Sequence, residues 1–219
     1  MCVFDGNMLH SSLQAMDMRF LYHSNTMPTA QSFFKAQGLL SRGALEDYGL
    51  YQTEQKTDSK DKKLDLWYDV FFDSCDIHKE SKRINYYGPV CFVFSTEILK
   101  YYTSVKITKR NPLYWSSNNA SEYLSDLREK RKFDFGQHIT IGDLHQPIPF
   151  KPFLTHIILD NPNISDKSYF NKAKCYIDNQ IKNNSLNCDF IVRKCPVSCK
   201  CKSLYGADLE NTYDKFALR

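Results

Sequence analysis

Between Arg19 and Arg193 the chain is cut into short aromatic and β-branched runs, each a few residues long and each closed by polar residues, glycine or proline. Runs of that length suit strands and are too short for helices of three turns or more. They are Arg19-Phe20-Leu21-Tyr22-His23, Leu66 to Phe72, Val90 to Phe94, Val105 to Thr108, His138 to Ile141, His156 to Leu159 and Phe190 to Arg193. Strands outnumber helices in this pattern. The expected fold is therefore α+β (mixed α/β), with a mixed or antiparallel sheet and helices packed around its edges.

Three helices are predicted. Pro28 suits a first turn, Ala30, Phe33 and Phe34 share a face, and Gly38 falls where a left-handed C-cap is wanted. Asn119 with Glu122 has the spacing of a capping box, with Tyr123 and Leu127 on one side. Phe170, Ala173, Ile177 and Ile181 form the stripe of a longer helix before the last strand. Residues 1–18 show no clean period and read as a poorly specified arm. Glu46 to Asp65 reads as a long polar loop, and the segment with Pro147, Pro149 and Pro152 as irregular chain.

Of the 219 residues, 42% are hydrophobic and 14% aromatic, ample for one core, so residues 1–219 are expected to form a single domain. No run approaches the roughly 18 apolar residues of a membrane span, and no basic start leads into an apolar stretch, so the expected location is cytoplasmic. In that setting the eight cysteines are expected to be reduced thiols. Cys188, Cys195, Cys199 and Cys201 make residues 188–202 a Cys-rich C-terminal segment, but without paired Cys-x-x-Cys knuckles, and no metal is expected there. The net charge of +4 is unevenly spread: Gly43 to Glu80 carries five Lys/Arg against ten Asp/Glu, and Lys100 to Lys132 eight against three.

Phosphate-binding glycine loops, His-Glu-x-x-His helices, Gly-x-Ser-x-Gly elbows and kinase signatures are all absent, which removes the commonest hydrolase and phosphotransfer readings. What remains is an order of segments: Leu21-Tyr22-His23-Ser24-Asn25, then Gly38-Leu39-Leu40-Ser41-Arg42, then Tyr68-Asp69-Val70-Phe71-Phe72, then Pro89-Val90-Cys91-Phe92-Val93-Phe94. In that order and spacing, over roughly residues 19 to 193, the chain resembles the DarT family of bacterial toxins, which use NAD to attach ADP-ribose to bases of single-stranded DNA.

The resemblance implies an ADP-ribosyltransferase-like split central sheet with peripheral helices, and NAD as substrate. It implies that His23, Ser24 and Asn25 hold the nicotinamide and its ribose, with Gly38, Tyr68 and Phe72 in the same pocket. A polar cluster at a strand end does offer donors and acceptors to an amide and to hydroxyls, although such a cluster also ends many strands without any ligand. Arg42, just past a helix stop, could reach a pyrophosphate bidentately. The family's further arginine in the following loop is missing, since residues 46–65 carry only lysines, of which Lys56 is a weak substitute. The family's late catalytic glutamate falls on Phe135-Gly136-Gln137-His138-Ile139-Thr140-Ile141, where no carboxylate occurs and Gln137 is the isostere. By resemblance Gln137 is the catalytic position, in a natural or engineered variant with the charge removed.

From Lys106 to Trp115, the residues Lys106, Lys109, Arg110, Tyr114 and Trp115 interleave cations with rings, as a single-strand platform would. The expected partners are single-stranded DNA and, for a toxin, an antitoxin protein, with no membrane. Two other readings stay open: a nucleic-acid-binding protein without catalysis, and an ADP-ribosyltransferase acting on RNA or protein.

Overall fold

Val90–Ser95 (β4) is buried at five of six positions, as a central strand covered on both faces must be. In the computed structural model, which describes residues 3–81, 86–161, 167–195, 198–199 and 209–219, β4 lies between Phe20–Asn25 (β1) and Leu154–Asn161 (β8), antiparallel to both. Asp189–Lys194 (β9) adds a parallel edge next to β8. The connection between these parallel strands contains the helix Ser168–Asn183 (α6), which buries Phe170, Ala173 and Ile177. The inner face of this four-stranded sheet presents Leu21, Phe92, Phe94, Ile157 and Leu159 to Phe33 and Phe34 of Met27–Ala36 (α2), within one apolar cluster that runs from Phe4 to Phe216. Leu209–Phe216 (α7) closes the described chain against α2 and α6.

A second sheet orders Val70–Phe72 (β3), Ile139–Ile141 (β6) and Val105–Ile107 (β5), all antiparallel. The two sheets meet where Tyr22 and Asp73 exchange both main-chain hydrogen bonds, each 2.9 Å. Gly38–Leu39 (β2) and Ile148–Pro149 (β7) make a short clasp beside them. The architecture is thus a split sheet with peripheral helices. Among the described residues no helix is long and apolar enough to cross a membrane.

The structure departs from the sequence reading in five places. Residues Gly6–Ala15, expected as part of an arm, form a helix (α1) capped by Asp5, with Leu9 and Leu13 fully buried at i, i+4 spacing against the Thr96–Tyr101 turn. Gly6 permits that approach, since a Cβ there would lie 2.0 Å from the Leu99 oxygen. Gln37, not Gly38, takes the left-handed cap of α2 (φ 55°), and Gly38 instead lets β2 meet β7, where a Cβ would stand 2.3 Å from the Ile148 oxygen. The polar stretch after Glu46 contains a short helix, Asp58–Lys63 (α4), following Arg42–Asp47 (α3). The capping-box segment makes only a 3-10 turn at Ala120–Glu122, because Glu122 turns to Arg110 (2.8 and 3.0 Å) and not back to Asn119. Finally, the proline segment is regular at Ile148–Pro149, since Pro149 sits at an edge.

Candidate active site

Where β1 meets the second sheet, a cleft opens, with about 910 Å³ of empty space when the solvent at its mouth is counted. Its walls are Tyr22 to Asn25 of β1, Arg42 of α3, Asp69 to Phe71 and Asp73 around β3, and His138 ahead of β6. The Asn111 to Leu113 turn closes one side.

Strand alternation turns Leu21, His23 and Asn25 inward together. His23 packs edge-on against Phe33 and Phe72, with centroids 5.7 and 5.9 Å away. Its Nδ1 lies 2.9 Å from the Phe71 carbonyl, which only accepts, so the proton sits on Nδ1 and Nε2 carries a lone pair. Burial lowers the imidazole's pKa, outweighing the Phe71 bond and Asp73, so the ring is neutral near pH 7. Nε2 is sealed from solvent and has no partner, a costly arrangement unless a ligand donates to it.

Arg42 opens α3, which Ser41 caps by accepting from the Ala44 N–H (3.1 Å) while donating to the Leu144 carbonyl (2.7 Å). The guanidinium Nη2 donates to Asp58 Oδ2 (2.7 Å) and to the Thr53 carbonyl (3.1 Å), and the group lies 5.3 Å over the Trp67 ring. Its Nε is buried without a partner, as are Asp58 Oδ1 and Gln52 Oε1. Among the described residues this arginine and its two neighbours thus leave one donor and two acceptors unspent.

The remaining chemistry is acidic. Asp73 Oδ1 stands 3.0 Å from His138 Nδ1, both side chains largely buried. His138 is held from behind, its N–H donating 2.8 Å to Thr108 Oγ1, whose hydroxyl donates to the Gly136 carbonyl (2.7 Å). Burial raises Asp69 to about 6 against the opposing pull of Lys106 and the Asp143 N–H. Asp61 is raised as well, chiefly by burial.

The cleft brings together His23, Ser24, Asn25 and Arg42 of the residues expected from sequence. Gly38, Tyr68 and Phe72 do not line it: Gly38 serves the β2–β7 clasp, Tyr68 stacks on His145 (4.0 Å) and donates to Asp47, and Phe72 lies fully buried behind His23. Gln137 does not line it either. Its Oε1 accepts from the Arg131 N–H (2.8 Å) and its Nε2 donates to the Glu129 carbonyl (3.0 Å), so both polar atoms are spent on the preceding turn. The expected stacking platform is also corrected in part. Trp115 is 2% exposed, donates to the Arg110 carbonyl (3.0 Å) and meets Tyr123 edge-on (5.1 Å). Lys106 is buried over the same Tyr123 ring, and Arg110 is paired with Glu122, whereas Lys109 and Tyr114 are exposed beside the cleft-lining turn. Sequence reasoning missed Asp61, Asp69, Asp73 and His138. For Asp73 and His138 the sequence carries no signal, since they meet across 65 residues.

No protein-family model and no curated protein matches the chain. Its fold is similar to that of Thermus sp. 2.9 DarT, solved in complex with ADP-ribosylated single-stranded DNA. The two share 10% identity over 81% of this chain and 95% of that one, with a TM-score of 0.51. The fold is therefore DarT-like.

Proposed function

We propose that this chain uses NAD to transfer ADP-ribose to a nucleobase of single-stranded DNA, as the toxin of a toxin–antitoxin or phage-defence system. The observation that carries the reading is the neutral, half-buried His23, whose sealed Nε2 acceptor has no partner among the described residues, set in the cleft of a DarT-like fold. The donor set fits NAD. Nε2 of His23 accepts from a ribose hydroxyl, and the unspent Nε of Arg42 donates to a pyrophosphate oxygen. Asn25, turned inward with His23, supplies an amide side chain at the end of β1.

When bound, NAD supplies an activated glycosidic bond that breaks with loss of nicotinamide. In our reading Asp73, oriented by His138, provides the negative charge that favours positive charge developing on the sugar, and it takes the proton of the attacking base amine. Gln137 is then a structural residue. The acceptor strand passes over the 109–114 turn, with Lys109 toward phosphate and Tyr114 toward a base.

The test is intact-mass measurement of short oligonucleotides covering every base, incubated with NAD and the protein. A gain of one ADP-ribose is expected, and His23→Ala should abolish it while weakening NAD binding in calorimetry and leaving circular dichroism unchanged. A protein that binds no NAD at millimolar concentration would refute the enzyme reading. One that cleaves NAD but leaves every oligonucleotide unmodified would refute the DNA acceptor.

A further inference from the structure

At the ends of β8 and β9, chain segments far apart in sequence converge on one imidazole. His78 is carried by Ile77–Ser81 (α5), Asp160 lies near the end of β8, Cys195 follows β9, and Cys199 comes four residues later. His78 Nδ1 bonds Asp160 Oδ2, and since the carboxylate only accepts, the proton is on Nδ1 and Nε2 bears the lone pair. That lone pair faces two sulfurs, Cys199 Sγ at 3.1 Å and Cys195 Sγ at 3.6 Å, and the three atoms lie within 4.8 Å of one another.

One thiol proton would satisfy one lone pair. It gives no reason for a second sulfur on the same nitrogen. A tetrahedral zinc ion does, because Zn–N near 2.05 Å and Zn–S near 2.3 Å set the N···S edge at about 3.6 Å and the S···S edge at about 3.8 Å. The surroundings repeat the outer shell of such sites: a carboxylate takes the far N–H of the histidine and is itself held, here by Arg193 Nε at 2.6 Å from Asp160 Oδ1. Arg193 in turn pairs with Asp76, which lies just ahead of α5. A Cys–His–Asp nucleophile is the other chemistry these residues offer, but it uses one sulfur on the imidazole, and the nearer one, on Cys199, is like His78 only 4% exposed.

We propose that His78, Cys195 and Cys199 bind a zinc ion that pins the C-terminal cysteine segment to the sheet. Imidazole and thiolate ligands at this spacing favour zinc over the hard cations, which prefer oxygen. The proposal differs from the expectation of no metal that cysteine spacing alone suggests: two of the described C-terminal cysteines converge, and the third ligand comes from a histidine more than a hundred residues earlier. Cys201 lies outside the described residues. The site is independent of the NAD reading, since none of His78, Asp160, Cys195 and Cys199 lines the cleft that holds His23.

The experiment is metal analysis of the full chain purified under reducing conditions, with cobalt titration of chelator-treated protein. We expect about one zinc per chain, and cobalt should give the intense visible absorption of a tetrahedral, thiolate-bound ion. His78→Ala and Cys199→Ser should each lower zinc content to below about a tenth of wild type, Asp160→Asn should weaken affinity by about 10–100-fold, and Cys188→Ser should change nothing. Where a variant fails to fold, the cobalt spectrum of the wild-type chain and protection of Cys195 and Cys199 from alkylation decide. A wild-type chain without zinc or cobalt spectrum overturns the proposal. So does a Cys195–Cys199 disulfide under those conditions, or a folded His78→Ala variant that keeps its metal.

Discussion

Gln137 donates to the Glu129 carbonyl and accepts from the Arg131 N–H, a pairing that only an amide satisfies at both ends. Gln137→Glu would set a carboxylate oxygen against a carbonyl oxygen, so it should cost about 1–3 kcal/mol in urea unfolding and confer no gain in DNA modification. A gain in activity would return the catalytic role to this position. Asp73→Asn should instead lower turnover by about 10²–10⁴-fold while NAD affinity in calorimetry stays nearly constant. Proportional loss of affinity and rate would make Asp73 a binding residue. Asp69 offers a test by pH. Its folded pKa of about 6 exceeds the ordinary 3.8, so the unfolded chain ionises first and stability falls as pH rises from about 4 to 6, then levels off. Asp69→Asn should therefore be more stable than wild type at pH 7, with the advantage shrinking toward pH 4. An equal difference at both pH values would show that the Asp69 charge has no part in it.

Among the elements, α1 and the Trp115 segment invert what their sequences suggest. The helix of the arm-like N-terminus buries Leu9 and Leu13 completely, which makes each count: Leu13→Ala should cost about 2–5 kcal/mol. Trp115, which reads as a surface ring between cations, plugs a small cluster with Leu64, Leu66 and Tyr123. Trp115→Ala should destabilise the protein by about 3–5 kcal/mol, and any loss of oligonucleotide binding should track unfolding. Selective loss of DNA binding with unchanged thermal stability would restore Trp115 as a contact residue. Tyr114→Ala, by contrast, should leave stability within about 0.5 kcal/mol of wild type.

At the scale of the whole molecule, the cleft belongs to neither sheet alone. β1 contributes His23 from one and the β3–β6 pair contributes Asp73 and His138 from the other, so a ligand spanning the cleft braces both. NAD at about 100 times its Kd should stabilise the folded chain by about 2.7 kcal/mol, seen as an upward shift of a single thermal transition. Two transitions, only one of which moves, would mean that the sheets unfold separately.

The sequence by itself determined the strands of the two larger sheets, the α2 and α6 helices, and the polar end of β1 that became part of the cleft. All of these depend on local periodicity, chain breaks and residue type, which are written over a few neighbouring positions. It also carried the resemblance to DarT that the fold bears out. What it left open were the pairings. Asp73 with His138, Arg42 with Asp58, Gln137 with the Glu129 turn and His78 with the two cysteines are made by segments 8 to 121 residues apart. Which polar atoms are spent on neighbours, and which stay buried and available, depends on where the two sheets meet. Only the tertiary structure decided that, because burial removes the water that would otherwise satisfy every polar group alike.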